Sequence, residues 1–241
     1  MAGCVFPLRS TMSFVFPPTP AVSVPVTGGG QFPVHRIYCV GRNYVEHAQE
    51  MGFTGREPPF FFLKPADAIV YVPNGETGSM PYPSVTKDLH HEIELVVAIG
   101  KGGRNIKAAE AMSHIYGYAV GLDMTRRDLQ ADMKKQGRPW CIGKAFDHSA
   151  PIGPIVPAAQ AGDVTKADIS LQVNGKDRQR SNVSKLIWNI AETIEHLSAA
   201  WELQPGDLIY SGTPEGVAAV VAGDLLVGQV AGVGELRLKI A

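Results

Sequence analysis

Cysteine is scarce in this sequence, with three among 241 residues. Cys4, Cys39 and Cys141 are odd in number, widely separated and free of C-x-x-C spacing, which argues against a disulfide framework or a cysteine zinc site. Cys141 follows Trp140 and could be read as a nucleophile, but the isolated position favours a bystander thiol. This cysteine usage predicts a cytoplasmic protein.

Long apolar runs and an excess of one charge are also missing. No run reaches the roughly 18 apolar residues of a membrane span, and the first residues lack the pattern of a signal peptide. Met12 is an alternative start to Met1. A net charge of -1 without Lys/Arg blocks gives no footprint for a phosphate backbone. We therefore expect neither a membrane nor a nucleic-acid partner.

What is present is an apolar, turn-rich chain. Apolar residues make up 45% and charged residues 19%, which predicts a globular protein with a large core. Residues 13–35 are rich in Pro, Val and Gly and predict an extended arm or edge hairpin. We therefore divide the chain into an N-terminal extension, 1–35, and a main domain, 36–241.

Short strand-like segments alternate with Pro and Gly turns after that boundary. Apolar runs predict strands at 37–40, 116–122 and 208–211, and apolar spacings of three and four predict a helix over 184–201. Residues 52–59 read as a mobile connection. The pattern predicts an α+β fold that is predominantly β.

Two glutamates stand one residue apart at the start of the apolar run 95–99. Side chains at i and i+2 leave the same face of a strand, so Glu92 and Glu94 would point the same way and need a cation. Asp123, at the end of the predicted strand 116–122, is a third candidate ligand. This all-oxygen set suits Mg²⁺ or Mn²⁺, is compatible with Ca²⁺ and fits Zn²⁺ poorly. Solvated charges, or ion pairs with Lys or Arg, are the alternative.

A candidate water-activating pair precedes these carboxylates. His47 and Glu50 stand three residues apart on a helix-like segment and so share a face. A carboxylate beside an imidazole fixes its tautomer and stabilises the imidazolium, as a general base requires. An ordinary surface pair would show the same spacing.

Cationic and polar side chains that suit an anionic substrate follow Asp123. Arg127 and Gln130 would share a face with Asp123 on a helix starting there, unless Arg127 pairs with a neighbouring aspartate on the surface. Lys144 could stabilise developing negative charge. The loop 211–216 offers the N–H of Gly212 and the hydroxyl of Thr213 to an anion.

These residues lie in ordered motifs, and the chain resembles the fumarylacetoacetate hydrolase family from about residue 37 to the C-terminus. The motifs are G-R-N-Y-x-x-H-A-x-E (41–50), F-x-K-P (62–65), H-E-I-E-L-V-V-A-I-G (91–100), G-Y-x-x-x-x-D-x-T-x-R-D-x-Q (117–130), G-K-x-F-D (143–147) and S-G-T-P-x-G-V (211–217). Within the family, His90–His91 and the stretches 58–64 and 126–135 are most similar to the fumarylpyruvate hydrolases of gentisate breakdown.

The resemblance implies a role for each candidate residue. It implies a mixed β-sheet roll with few helices, a homodimer, and a mobile helical lid over 43–58. It further implies the following roles: metal ligation by Glu92, Glu94 and Asp123, water activation by His47 with Glu50, and substrate binding by Lys144, Arg127, Gln130 and Thr213.

Our hypothesis is metal-dependent hydrolysis of a carbon–carbon bond in a β-diketo acid, fumarylpyruvate giving fumarate and pyruvate. The family resemblance also allows an oxaloacetate decarboxylase or tautomerase, or a 2-hydroxyhepta-2,4-diene-1,7-dioate isomerase. A non-catalytic binding protein stabilised by structural Ca²⁺ is the alternative from another class. The presence of His47, Glu50 and Lys144 together counts against that alternative.

Overall fold

The computed structural model describes residues 14–46 and 56–241. The predicted catalytic pair, His47 and Glu50, and most of the expected lid lie outside the described residues. Within the described part of the chain, no helix is long and apolar enough to cross a membrane.

Strands dominate the described chain, which confirms the predicted β-rich α+β class. The strands are β1 (Ser23–Pro25), β2 (Gln31–Pro33), β3 (Ile37–Gly41), β4 (Phe60–Lys64), β5 (Ile69–Tyr71), β6 (Thr77–Met80), β7 (Leu89–His90), β8 (Ile93–Ile99), β9 (Ile115–Leu122), β10 (Thr125–Arg126), β11 (Ala150–Ile152), β12 (Val156–Pro157), β13 (Asp168–Val173), β14 (Lys176–Asn182), β15 (Leu208–Tyr210), β16 (Ala219–Val220), β17 (Leu225–Val230) and β18 (Gly234–Ile240). The α-helices are α1 (Ala108–Ala111), α2 (Arg127–Lys135), α3 (Cys141–Lys144), α4 (Ala158–Ala161) and α5 (Ile190–Ala200).

The largest sheet is mixed and runs in the order β4-β3-β15-β8-β9-β11-β5, with β12 also paired to β9. Strand β15 is parallel to β3, and β11 is parallel to β5, whereas β8 and β9 are antiparallel. A second sheet has the order β14-β13-β17-β18-β6, and a small third sheet the order β10-β7-β16. The predicted mixed-sheet architecture is therefore confirmed.

Strand β8 is buried on both faces, and this explains its unbroken apolar sequence. Alternate side chains enter different core clusters: Leu95 and Val97 pack in the larger cluster, while Val96 and Ala98 pack in the smaller one. The period of two places Glu94 on the Val96 side of the strand. The strand thus sets the direction of the candidate ligand.

The N-terminal hairpin forms part of the smaller cluster. Strands β1 and β2 pair antiparallel, and Val24 and Phe32 are buried against that cluster. The edge hairpin expected within 13–35 is present in the described part of that segment.

The helix predicted over 184–201 begins later than expected, at Ile190. Asn189 caps the helix by accepting from the N–H of Glu192, whose side chain accepts from the N–H of Asn189 in return. Leu186 follows a short 3₁₀ turn over Val183–Lys185 and lies before the helix, but it is still buried in the larger core cluster. The apolar spacing was read correctly as core, but this capping box determines where the helix starts.

Candidate metal centre and active site

Three buried carboxylates meet at the ends of β8 and β9. The antiparallel register pairs Ile93 with Leu122, so that Asp123 follows directly beside Glu92 and donates its N–H to the Glu92 carbonyl at 2.9 Å. Glu92, Glu94 and Asp123 each offer an oxygen atom, and these atoms all lie within 4.8 Å of one another. Glu92 and Glu94 thus lie close together, as their i and i+2 spacing predicts, and the strand register brings Asp123 beside them.

Lys144 lies between two of these carboxylates. Its Nζ donates to Glu92 Oε2 at 2.8 Å, to Asp123 Oδ2 at 2.7 Å and to Thr125 Oγ1 at 2.6 Å. Burial opposes a charge on this amine, but the carboxylates of Asp123 and Glu92 raise the pKa of Lys144 above its ordinary value. Lys144 is therefore a buried, charged ammonium.

A second buried lysine was not assigned a role from sequence. Lys64, at the end of β4, lies 2.8 Å from Asp123 Oδ1 and donates to the carbonyls of Met124 and Lys144. It thus ties Asp123 to the α3 segment that carries Lys144. The F-x-K-P motif was the available signal, but neither composition nor spacing indicates which carboxylate the lysine would reach.

Glu94 has a different environment from Glu92. Its Oε2 accepts the N–H of Gly212 at 2.8 Å, which fixes the loop 211–216 against β8. Burial, together with the nearby charges of Asp123 and Glu92, raises the pKa of Glu94 well above the ordinary glutamate value. A bound cation would therefore stabilise the charged form of Glu94.

Arg127 points toward Glu92 rather than to a neighbouring aspartate. Its Nη2 donates to Glu92 Oε1, and its Nη1 donates to Gln130 Oε1 at 3.3 Å. Asp128 instead accepts from Thr86 Oγ1 at 2.6 Å. The predicted helix begins at Arg127, so Asp123 lies outside it; the pairing of β10 with β7 intervenes.

A buried glutamine joins the loop 211–216 to β8. Gln179 Oε1 accepts the N–H of Ile93 at 3.1 Å, and Gln179 Nε2 donates to Thr213 Oγ1 and to the carbonyl of Pro214, both at 2.8 Å. These bonds orient the Thr213 hydroxyl, which lines the same cleft as Arg127. Gln179 comes from the second sheet, so no local pattern could reveal this role.

The described residues on either side of 47–55 are anchored near the helix cap of α5. Asn43 Nδ2 donates to the carbonyls of Trp188 and Ser211, at 2.9 and 2.8 Å. Arg56 lies 4.0 Å above the Trp188 ring and pairs with Glu192 at 2.6 Å. The roles of His47 and Glu50 remain predictions.

The carboxylates and cations line one narrow cleft of about 20 Å³. Its walls are formed by Val40, Gly41, Arg42, Phe62, Glu92, Glu94, Asp123, Arg127, Gln130, Trp140, Lys144 and Thr213. All the candidate metal and substrate residues of the described chain except Gly212 line it directly, and Gly212 bonds to Glu94.

This donor set fits a hard divalent cation. The three groups are carboxylates, so the ligand atoms are all oxygen, as Mg²⁺, Mn²⁺ and Ca²⁺ prefer. Burial and the charges of Asp123 and Glu92 raise the pKa of Glu94, so its anionic form needs a further positive charge nearby. Exposed Cys141 adds no thiolate to the set.

The mixed β roll has a buried carboxylate triad that opens on a cleft lined by lysine and arginine. This combination defines a metal-dependent enzyme. The chain belongs to the fumarylacetoacetate hydrolase family: the family model "Fumarylacetoacetate (FAA) hydrolase C-terminal" matches residues 36–241.

Relatives within this family include enzymes with different names. The fumarylpyruvate hydrolase of a Ralstonia species is 49% identical over 185 residues, covering 76% of this chain and 93% of the relative. The mitochondrial oxaloacetate tautomerase of Rattus norvegicus is 41% identical over 204 residues, covering 85% of this chain and 90% of the relative.

A solved structure is closely similar over nearly the whole chain. It is the fumarylpyruvate hydrolase of Pseudomonas aeruginosa in complex with Mn²⁺ and pyruvate, 57% identical, with a TM-score of 0.93. The match covers 95% of this chain and 99% of that structure.

Proposed function

We propose that this enzyme hydrolyses a carbon–carbon bond of a β-diketo acid, converting fumarylpyruvate to fumarate and pyruvate. The observation that carries the proposal is the cleft in which Lys144 and Arg127 lie beside the carboxylates of Glu92, Glu94 and Asp123. The similar enzymes named fumarylpyruvate hydrolase, at 49% and 57% identity, support this substrate.

The proposed cofactor is Mn²⁺ or Mg²⁺, held by Glu92, Glu94 and Asp123. The Mn²⁺ in the similar Pseudomonas structure and the all-oxygen set support it, while Ca²⁺ remains compatible with the same donors. Such an ion supplies Lewis-acid polarisation of an α-keto acid and charge neutralisation.

Hydrolysis requires that the chain's own groups stabilise an enolate. When water adds to the distal ketone carbon, the bond from that carbon to the central CH₂ breaks, and its electron pair passes to the pyruvate half as an enolate. A proton on the CH₂ carbon then completes pyruvate. We assign Lys144 to the developing negative charge, because its pKa is raised and its Nζ lies in the cleft.

Arg127 and Gln130 are proposed to orient the keto acid. Both line the cleft on the first turn of α2, and a guanidinium and an amide suit carboxylate and carbonyl oxygens. Gly212 and Thr213 are proposed to hold the opposite side of the substrate. Gln179 supports that role because it fixes the Thr213 hydroxyl.

We propose that His47, oriented by Glu50, takes the proton from the attacking water. The motif G-R-N-Y-x-x-H-A-x-E supports these assignments. His47→Ala should lower kcat by about 10²- to 10⁴-fold, the usual range for a lost general base. His196→Ala, an exposed histidine on α5, is the control, and equal kcat in both variants would remove His47 from the mechanism.

The reaction is tested with the enol form of fumarylpyruvate, followed by its absorbance with Mn²⁺ or Mg²⁺ and again with EDTA. We expect metal-dependent loss of the chromophore, with fumarate and pyruvate identified by mass. Metal-dependent stability without turnover of any diketo acid would favour the non-catalytic alternative instead.

Oxaloacetate tautomerisation is the second candidate function, because the Rattus norvegicus relative is 41% identical and carries that name. Tautomerisation leaves the substrate mass unchanged, hydrolysis adds one water and gives two acids, and decarboxylation releases CO₂. Mass spectrometry of the products from oxaloacetate and fumarylpyruvate separates the three reactions.

We further propose a homodimer. Strand β4 lies at one edge of the large sheet, and Leu63 on it is 41% exposed. An apolar edge strand favours pairing with another chain unless it is covered. Sedimentation equilibrium should give twice the chain mass, and Leu63→Lys should shift the equilibrium toward monomer.

The domain division and the location also remain proposals. A catalytic domain over 36–241 is supported by the range of the family match, with the hairpin of β1 and β2 as part of an N-terminal extension. A cytoplasmic location is supported by Cys39 and Cys141, which are both free thiols.

A further inference from the structure

The narrow cleft opens beside a larger cavity, and Arg42 belongs to the walls of both. The cleft has a volume of about 20 Å³, little more than the space of roughly 10–15 Å³ that holds one water. The adjoining cavity has a volume of about 460 Å³. A diacid at the carboxylate cluster is larger than this cleft, and the larger cavity offers space directly beside it.

The backbone holds Arg42 in an unusual conformation. Its φ angle is +54°, in the left-handed region that a residue with a side chain seldom adopts. Gly41 lies directly against the Phe60 ring: a Cβ on Gly41 would be only 2.0 Å from Phe60 Cζ, so no side chain fits there. Asn43, on the other side, is fixed by hydrogen bonds to Trp188 and Ser211. Such strained positions cluster at ligand sites when their surroundings fix them.

Aromatic rings determine where the guanidinium of Arg42 points. Its central carbon lies 5.0 Å from the centroid of Phe60 and 6.0 Å from that of Trp140. The two rings meet edge to face with centroids 5.2 Å apart, and Phe62 packs beside Trp140. The cavity therefore has flat apolar walls with a guanidinium where it joins the cleft, which suits a planar, conjugated chain that ends in an anion.

The cations that line the cleft and the cavity make different contacts. Lys144 and Arg127 contact the carboxylate cluster directly, whereas Arg42 lies among the aromatic side chains of β4 and Trp140. A guanidinium binds a carboxylate through two parallel hydrogen bonds, which an ammonium cannot match. A guanidinium held against aromatic rings, in the same cleft as the cations that contact the carboxylates, fits an acid charged at both ends.

We propose that Arg42 binds the distal carboxylate of the acyl chain, and so selects diketo acids whose acyl group ends in a carboxylate. This assignment deepens the proposed hydrolase function and rests on it. Phe62 and Trp140, which line both the cleft and the cavity, would pack against the conjugated chain. Arg42 is therefore a specificity residue, while cleavage takes place at the carboxylate cluster.

The test compares fumarylpyruvate with crotonylpyruvate, in which a methyl group replaces the distal carboxylate. In wild-type enzyme with Mn²⁺, kcat/KM should favour fumarylpyruvate, and in Arg42→Met this preference should fall by about 10- to 100-fold, the range for a lost hydrogen bond to a charged group. Arg42→Lys should retain only part of the kcat/KM preference for fumarylpyruvate. Arg138→Met, on the exposed rim of the same cavity, is the matched control for a general change of charge.

An unchanged preference in folded Arg42→Met, or an equal fall in Arg138→Met, would overturn the assignment. A second readout does not depend on turnover. Calorimetric titration should show that wild type binds fumarate more tightly than crotonate, whereas Arg42→Met should bind the two acids with equal affinity. If the wild type cleaved neither substrate, the proposed hydrolase function would fail. An equal fumarate affinity in wild type and Arg42→Met would overturn only the role of Arg42.

Discussion

The carboxylate cluster and the core of the second sheet are equally buried but are stabilised in different ways. Asp123 and Glu94 are each 1% exposed, while Leu226 and Leu238 are 0% exposed. The leucines pack face to face across β17 and β18 and gain stability from the apolar area they bury. The charged groups lose hydration when buried, and only pairing compensates that loss.

Burial alone therefore does not show how a residue contributes to stability. In the second sheet, a side chain can be shortened at the cost of a cavity, and nothing else is left unpaired. In the cluster, each charge compensates others, since Asp123 contacts both Lys64 and Lys144. Removing one member changes the energy of all its partners.

Asp123→Ala should have the largest effect. It leaves Lys64 and Lys144 without a shared carboxylate, and breaking a buried ion pair lowers the free energy of unfolding by about 3–5 kcal/mol. Mn²⁺ binding, measured by calorimetry, should be lost together with turnover. The isosteric Asp123→Asn is the control; Mn²⁺ affinity retained in both variants would remove Asp123 from the metal site.

Leu238→Ala should destabilise the second sheet without touching the cluster. Shortening a buried leucine costs about 2–5 kcal/mol, depending on how far the cavity collapses. Chemical denaturation should show this loss, while the Mn²⁺ affinity of the folded protein should equal that of wild type. A parallel loss of Mn²⁺ affinity would mean that the two regions are coupled.

The metal-free protein should become less stable as pH rises through the window set by Glu94. Its pKa is raised in the folded protein, so between the ordinary value of 4.5 and the raised value the folded state binds a proton that the unfolded state has released. The contribution of Glu94 to stability is therefore fully present below about pH 4.5 and is lost as pH rises through its raised pKa.

This pH dependence is measured as Tm against pH after treatment with EDTA. Glu94→Gln cannot titrate at this position and should flatten that part of the curve. Saturating Mn²⁺ should oppose the fall, because the ion binds the deprotonated carboxylate. The same slope in Glu94→Gln and wild type would assign the proton to another group.

Arg237→Ala should have the smallest effect. Arg237 precedes Leu238 on β18, but its side chain faces outward and pairs with Glu235 at 3.2 Å, with both side chains more than 30% exposed. Exposed ion pairs contribute about 0–1 kcal/mol, so denaturation should barely change. If Arg237→Ala lowered the free energy of unfolding as much as Leu238→Ala, this surface ion pair would matter as much as the buried packing, contrary to our expectation.

Much of the site could be predicted because its signals are local. The spacing of Glu92 and Glu94 and the apolar run of β8 determine a shared face, and Asp123 follows the next strand of that hairpin pair. Ordered motifs added Lys144, Arg127, Gln130, Gly212 and Thr213, all of which line the cleft or bond to its carboxylates. The early start predicted for α5 was wrong, because apolar spacing continued through residues 184–189, which form part of a short 3₁₀ turn, a bridge residue and a bend before the helix.

The sequence by itself determined the strand periodicity, the all-oxygen character of the candidate ligands and the family to which the chain belongs. Tertiary structure alone decided which charges meet: Lys64 comes to Asp123 from β4, Gln179 comes to Thr213 from the second sheet, and Arg42 joins two cavities. The reason is physical, because side-chain periodicity is a local property of the backbone, whereas ion pairing and cavity shape depend on which distant strands become neighbours.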